Sequence, residues 1–222
     1  TGQAESGLQY NRRAHDDAGR LRMVSLTEFA RPPENLHYDA VDSQVGVVRI
    51  DREGRRPIAL VGFGCHALAL WDFRGNVSAD YPGVLVGALA EEGIEALFIQ
   101  AALGNVHPIR EGEDPCGRIG RSLAGTALEV FRGLAPVGDA DLGLFSKTLE
   151  IDRQPVMDVD VARREWEADP AESEGLSRYY YWLAQTYRDL PPGLFELHVV
   201  TIGSAALIHM PGEPFVETAF AI

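Results

Sequence analysis

The chain has 222 residues, 45% of them apolar and 24% charged, which is enough for one sizeable globular domain, and no shift in composition marks a second. Thirty-three acidic against twenty basic residues give a net charge of −13 and a pI near 4.8, without an Arg/Lys cluster able to follow a phosphate backbone, which argues against nucleic acid as a partner. No apolar run approaches the roughly 20 residues of a membrane span and no charged-then-apolar leader stands at the start, so a soluble chain is expected.

Residues 1 to 40 are polar and irregular, with Pro32 and Pro33 and several charged pairs, and read as a connector or edge segment rather than core. Regular structure is expected from Gln44 to Ile50 and from Pro57 to Cys65, two β-rich runs joined by turn chemistry at Asp51 to Arg56 and paired antiparallel. Pro82 near a first turn, Ala and Leu at helical spacing, and Gly93 just beyond predict a helix over 81–92, capped by Asp80. A strand follows at 94–101. Ile119, Leu123, Ala127 and Val130 give helical periodicity over 118–131, closed by Gly133. A strand near 141–151 precedes a helical stretch over 159–190 that is broken around Pro170 and carries the aromatic cluster Tyr179 to Trp182, which reads as bulk packed on a sheet. Two last strands, 195–202 and 205–210, meet at Gly203 and Ser204, and Glu213 opens a final helix. Hairpins alternating with strand-helix-strand units define an α/β chain with mixed β-sheets layered with helices, read as one domain over 1–222. The chain starts at Thr1 without methionine and stops at Ile222 after an apolar, helix-like stretch, so both ends read as incomplete. Cys65 and Cys116 permit one disulfide at most and form no Cys-x-x-Cys pair, which leaves the redox compartment open.

Four polar residues stand where apolar, strand-like runs give out into glycine, proline or a helix: His66, Asp80, His107 and Glu213. Strand ends are where a rigid sheet aims side chains at one point, so the recurrence predicts an assembled polar site. A histidine at a strand end and a glutamate after Pro211-Gly212 are nitrogen and oxygen donors suited to zinc. Other motifs lack their context. Gly62-Phe-Gly64-Cys-His-Ala67 has the spacing of a dinucleotide fingerprint, but the run after it is too short for the crossover helix. Gly120-Arg-Ser122 lies inside a helical pattern rather than at a nucleophile elbow, and no His-Glu-x-x-His is present.

The order Asn11-Arg12-Arg13, Phe63-Gly-Cys-His66, Val77-Ser-Ala-Asp80-Tyr-Pro-Gly83, Phe98 through Gly104-Asn-Val-His107-Pro108, and His209-Met-Pro-Gly-Glu213 resembles the catalytic domain of the neutral/alkaline (non-lysosomal) ceramidase superfamily over nearly the whole chain. The resemblance implies a ceramidase catalytic-domain-like α/β fold, zinc as cofactor, and His66 and Glu213 as metal ligands. The family's two further ligands, a histidine in an earlier His-rich segment and a later tyrosine, would fall before Thr1 and after Ile222. Where the family reads Gly-Asp-Val-Ser-Pro, with the serine implicated in amide cleavage, this chain has Gly104-Asn105-Val106-His107-Pro108. The serine is replaced, which leaves a zinc-bound water as attacking group and His107 as general base or charge-stabilising group, with Asn105 beside it in the loop. Asn11, Arg12 and Asp80 are candidates for holding substrate, Asp80 doubling as the helix cap. The expectation is therefore a zinc-dependent hydrolase that cleaves an amide or related carbonyl bond in a small-molecule or lipid-like substrate. From a different class, the alternative is a non-catalytic ligand-binding or structural relative that keeps the fold without the metal. A dinucleotide-dependent enzyme through Gly62 and Gly64 is the third reading. Oligomeric state and compartment are not legible in the sequence.

Overall fold

A computed structural model of the chain describes residues 1–25, 30–70, 75, 77–137, 140–153, 155–168 and 176–222. It divides into two compact units, one of residues 1–137 with 212–222 and one of residues 138–211. Helices and mixed sheets make it an α/β structure.

In unit 1 the apolar runs of the middle of the chain form the expected hairpin, β6 (Gln44–Ile50) antiparallel to β7 (Ile58–Phe63), in a register that sets Ile50 opposite Ile58 and Gly46 opposite Gly62. Alternate residues of β7, Ala59, Val61 and Phe63, are buried, which is the period-two signature of a strand with one face on a core. The chain then crosses through α1 (Asp80–Glu91) to β8 (Glu95–Gln100), which lies parallel to β7, as a helical crossover allows. With β1 (Gly2–Gln3) added beside β6, the sheet order is β1-β6-β7-β8. Helix α2 (Pro115–Gly133) packs along α1 and β6, burying Ile119, Leu123, Ala127 and Phe131 at helical spacing. Each fully buried Leu, Ile or Phe of this face contributes about 1.5–3 kcal/mol of burial free energy. Gly120 is where the two helices touch: a Cβ there would stand 2.5 Å from Val84 and 2.7 Å from the Tyr81 carbonyl. Cys65 and Cys116 are both buried in this core as free thiols.

Three features depart from the sequence expectation. Residues 1 to 40 are more regular than read, because β3 (Arg13–His15) pairs with β4 (Leu21–Met23) and β5 (His37–Tyr38), and β2 (Gln9–Asn11) pairs with β9 (Val106–Pro108). Helix α2 starts at Pro115, three residues earlier, because Asp114 Oδ1 accepts the Gly117 N–H at 2.8 Å and Pro115 presets the first turn. The final helix, α5 (Val216–Phe220), starts three residues after Glu213, since Phe215 stays extended.

Unit 2 is a three-stranded antiparallel sheet, β10 (Leu142–Ile151), β11 (Gly193–Ile202) and β12 (Ala205–His209), with α3 (Val159–Ala168) and α4 (Leu176–Tyr187) packed on each other. Gly203, at φ +57°, supplies the left-handed residue that the tight turn to β12 requires. The expected break around Pro170 lies outside the described residues.

Candidate functional site

The strand ends of unit 1 converge. The antiparallel register of β2 and β9 sets Tyr10 opposite His107 and Asn11 opposite Val106. The chain leaves β7 through Gly64 and Cys65, and the His66 backbone N–H then donates to the Val106 carbonyl at 3.1 Å. From the other end of the sequence, the Pro214 carbonyl accepts from both Leu103 and Gly104 N–H groups at 2.9 Å, which locks residues 213–215 beside the β9 loop. Gly104 is required there, because a Cβ would collide with the Glu213 carbonyl and the Phe215 ring. The Arg13 guanidinium, 5.3 Å over the Phe215 ring, covers the same segment.

Within this frame His66 Nδ1 lies 2.8 Å from the Val106 carbonyl oxygen. A carbonyl only accepts, so Nδ1 carries a proton and Nε2 is the ring nitrogen left free of the backbone. Nε2 points at Glu213 Oε2, 3.3 Å away. Two acceptors face each other at that distance only with a proton or a metal cation between them. Bonds of about 2.0–2.1 Å in tetrahedral geometry separate two zinc donors by about 3.3 Å. The pair thus fits two positions of such a site, with the His66 side chain 15% and the Glu213 side chain 64% exposed, leaving an open side for water. Among the described residues no group of three His, Cys, Asp or Glu is placed to hold a metal, and catalytic zinc usually has three protein ligands.

His107 packs edge-on against His66, ring centroids 5.2 Å apart, with its Nδ1 buried and without a hydrogen-bond partner. Burial first, then the charges of Arg12, His66 and Arg110, lower its pKa to about 3, so the ring is neutral. On its far side Tyr10 packs edge-on at 5.9 Å, its hydroxyl buried without a partner and its phenol raised to about 12 by burial. Arg12 donates through Nη2 to the Gly104 carbonyl at 3.1 Å and through its backbone to the Asn105 carbonyl at 2.8 Å, while Nε is buried without a partner.

The remaining expected residues hold the frame. Asn105, fully buried, accepts the Val216 N–H at Oδ1 (2.9 Å) and donates through Nδ2 to Glu217 Oε2 (2.9 Å), fixing α5. Asn11, also fully buried, accepts the Arg13 N–H at 3.0 Å and donates to the Ala40 carbonyl at 3.3 Å. Asp80 is not the cap of α1: Ala79 occupies that position without a side-chain hydrogen bond, and Asp80 is the first helical residue, at φ +52°. Its carboxylate is drawn instead to backbone donors, accepting from Ala69 (3.1 Å), Leu70 (2.8 Å) and Tyr81 (2.8 Å), while Ser78 Oγ accepts the Asp80 N–H at 3.0 Å. Asp80 therefore ties down the segment that follows His66. The structure brings His66, His107, Glu213 and Arg12 to one place and commits the polar atoms of Asn11, Asn105 and Asp80 elsewhere.

Sequence reasoning missed Tyr10, Arg110 and Glu217. Tyr10 sits in the short alternation from Leu8 to Asn11, and Arg110 follows His107 by three positions, signals too brief to separate from surface polarity.

This is an α/β domain whose strand-end loops gather a histidine pair and a glutamate. Its fold is similar to that of the crystal structure of neutral ceramidase from Pseudomonas aeruginosa, at TM-score 0.53 and 16% sequence identity, over 93% of this chain and 38% of that one. The chain thus spans well under half the length of that enzyme. No protein-family model matches the sequence, and no curated protein is significantly similar to it.

Proposed function

We propose that unit 1 carries a zinc-dependent hydrolase site acting on an amide or related carbonyl bond of a small-molecule or lipid-like substrate. The observation that carries the reading is the meeting of His66 Nε2 with Glu213 Oε2 while Val106 holds the other imidazole nitrogen. A carbonyl behind a ligating histidine is the usual second partner of a metal-binding imidazole. The likeness to a neutral ceramidase supports the fold of such an enzyme.

His66 and Glu213 would hold the zinc ion, which would supply an acidified water and polarise a carbonyl. The chain's own groups do the rest. Val106 orients His66, and the Pro214 carbonyl, held by Leu103 and Gly104, sets the height of Glu213. The neutral His107 offers a nitrogen lone pair to the proton of a bound water or of a substrate N–H. Arg12, anchored on Gly104, places positive charge beside the site, where negative charge develops on a carbonyl oxygen.

A second reading, a ligand-binding relative without the metal, is supported by Asn105, whose amide is spent inside the fold in the loop where the family keeps its reactive serine. Equilibrium dialysis against zinc with elemental analysis, beside hydrolysis of N-acyl p-nitroanilides, separates the two. The hydrolase reading expects saturable zinc whose affinity falls at least about tenfold in His66→Ala and in Glu213→Gln, with activity falling in step. Zinc bound equally by the double variant would sink the ligand assignment, and neither saturable zinc nor amide cleavage in the wild-type chain favours the second reading.

A further inference from the structure

Unit 2 contains a cavity of about 580 Å³, within the roughly 300–1,000 Å³ range of small-molecule sites. It opens between the end of β10 with the segment behind it, the second half of α4, and the start of β11. Ile151, Val156, Met157, Leu183 and Phe195 make its wall, with the faces of Tyr180 and Tyr187. Met157 and Tyr180 remain 37% and 42% exposed, so apolar surface that could have closed on itself faces open space instead.

One cation is built into this wall. Arg153 donates through Nε to the Pro191 carbonyl at 2.8 Å, and its guanidinium lies 5.7 Å over the Tyr187 ring. These contacts hold the stem and the plane of the group while leaving its two terminal nitrogens without a partner among the described residues. A guanidinium fixed in this way presents a fork that matches a carboxylate. Asp152 also lines the cavity, but it has no hydrogen-bond or ion-pair partner among the described residues and nothing orients it.

We propose that unit 2 binds a small monocarboxylate with an apolar body, its tail in the cavity and its carboxylate on Arg153. This site is independent of the His66–Glu213 pair. Isothermal titration of the whole chain with decanoate, decylammonium and decanol tests it, with circular dichroism and Tm as checks on folding. Decanoate should bind saturably, decylammonium and decanol at least about tenfold more weakly, the scale of a lost charge-assisted hydrogen-bond pair. Arg153→Gln should bring decanoate down to the level of decanol, and Leu183→Trp, which fills the cavity, should weaken all three. Decylammonium binding more tightly than decanoate would transfer the head-group role to Asp152 and overturn the proposal. So would wild-type protein that binds none of the three, or decanoate affinity unchanged in a folded Leu183→Trp or Arg153→Gln protein.

Discussion

His66 Nε2 and Glu213 Oε2 lie 3.3 Å apart across 147 positions of sequence, and the other nitrogen of His66 is already engaged by a carbonyl. The proposed zinc ion would sit on this pair. Saturating zinc is expected to raise the Tm of the wild-type chain, since a ligand at about 100 times its Kd adds about 2.7 kcal/mol to the folded state. Glu213→Gln should lose most of that shift. A shift that survives in the variant would locate the ion elsewhere.

His107 packs edge-on against His66. If the site is catalytic, the neutral His107 acts there as a hydrogen-bond acceptor, and His107→Ala should lower turnover by about tenfold, the scale of one lost hydrogen bond, and leave zinc content unchanged. Full turnover in the variant would reduce His107 to a packing residue between His66 and Tyr10.

Asn105 holds α5 through two bonds made in full burial. Asn105→Ala strands the Val216 N–H and should cost about 1–3 kcal/mol in urea unfolding. Asn105→Asp is expected to do no better, because it sets a carboxylate against Glu217. Stability within experimental error of wild type in both variants would contradict the geometry.

Gly104→Ala pushes a methyl group into the Glu213 carbonyl and the Phe215 ring. The chain must shift there, at a cost of about 1–3 kcal/mol. The more telling readout is zinc affinity, which should fall as the Glu213 segment is displaced although no ligand has changed.

Alkaline pH should unfold the protein earlier than its surface alone would. Burial raises the Tyr10 phenol from 10.0 to about 12 and, with nearby carboxylates, the Cys116 thiol from 9.0 to about 11. The unfolded chain releases these protons first, so their stabilisation is complete below pH 9 and is lost as pH rises through 11 and 12. Urea midpoints measured against pH should fall across that window. Tyr10→Phe should flatten the upper half of the fall, and an unchanged slope would mean that Tyr10 ionises freely.

The sequence carried the long elements well because their signals are periodic: β6, β7, α1, β8 and β10 to β12 lie within about three residues of their expected ends. Strand ends and Pro-Gly punctuation, which survive in one dimension, singled out His66 and Glu213, whose side chains the fold sets 3.3 Å apart. The sequence did not carry β2 to β5, since strands of two or three residues have no period to read and exist through pairing partners. The cap expected of Asp80 failed for a related reason: Asp80 is itself the first residue of α1, and its carboxylate is shared between Tyr81 and the donors at Ala69 and Leu70, ten and more residues away. Tyr10 opposite His107 and Asn105 beneath Glu217 are likewise facts of register and docking rather than of composition.

The Pro214 carbonyl takes two backbone donors, from Leu103 and Gly104, and no side chain takes part in that clamp. Position 213 is therefore placed by main-chain atoms that any residue possesses, and its side chain is free to vary without the loop moving. The site behaves as a socket with an interchangeable contact: Glu213→His or Glu213→Cys should present a new donor to the same point beside His66. Under the proposed zinc reading, a redesign toward another metal would start from one substitution there, with Gly104 kept.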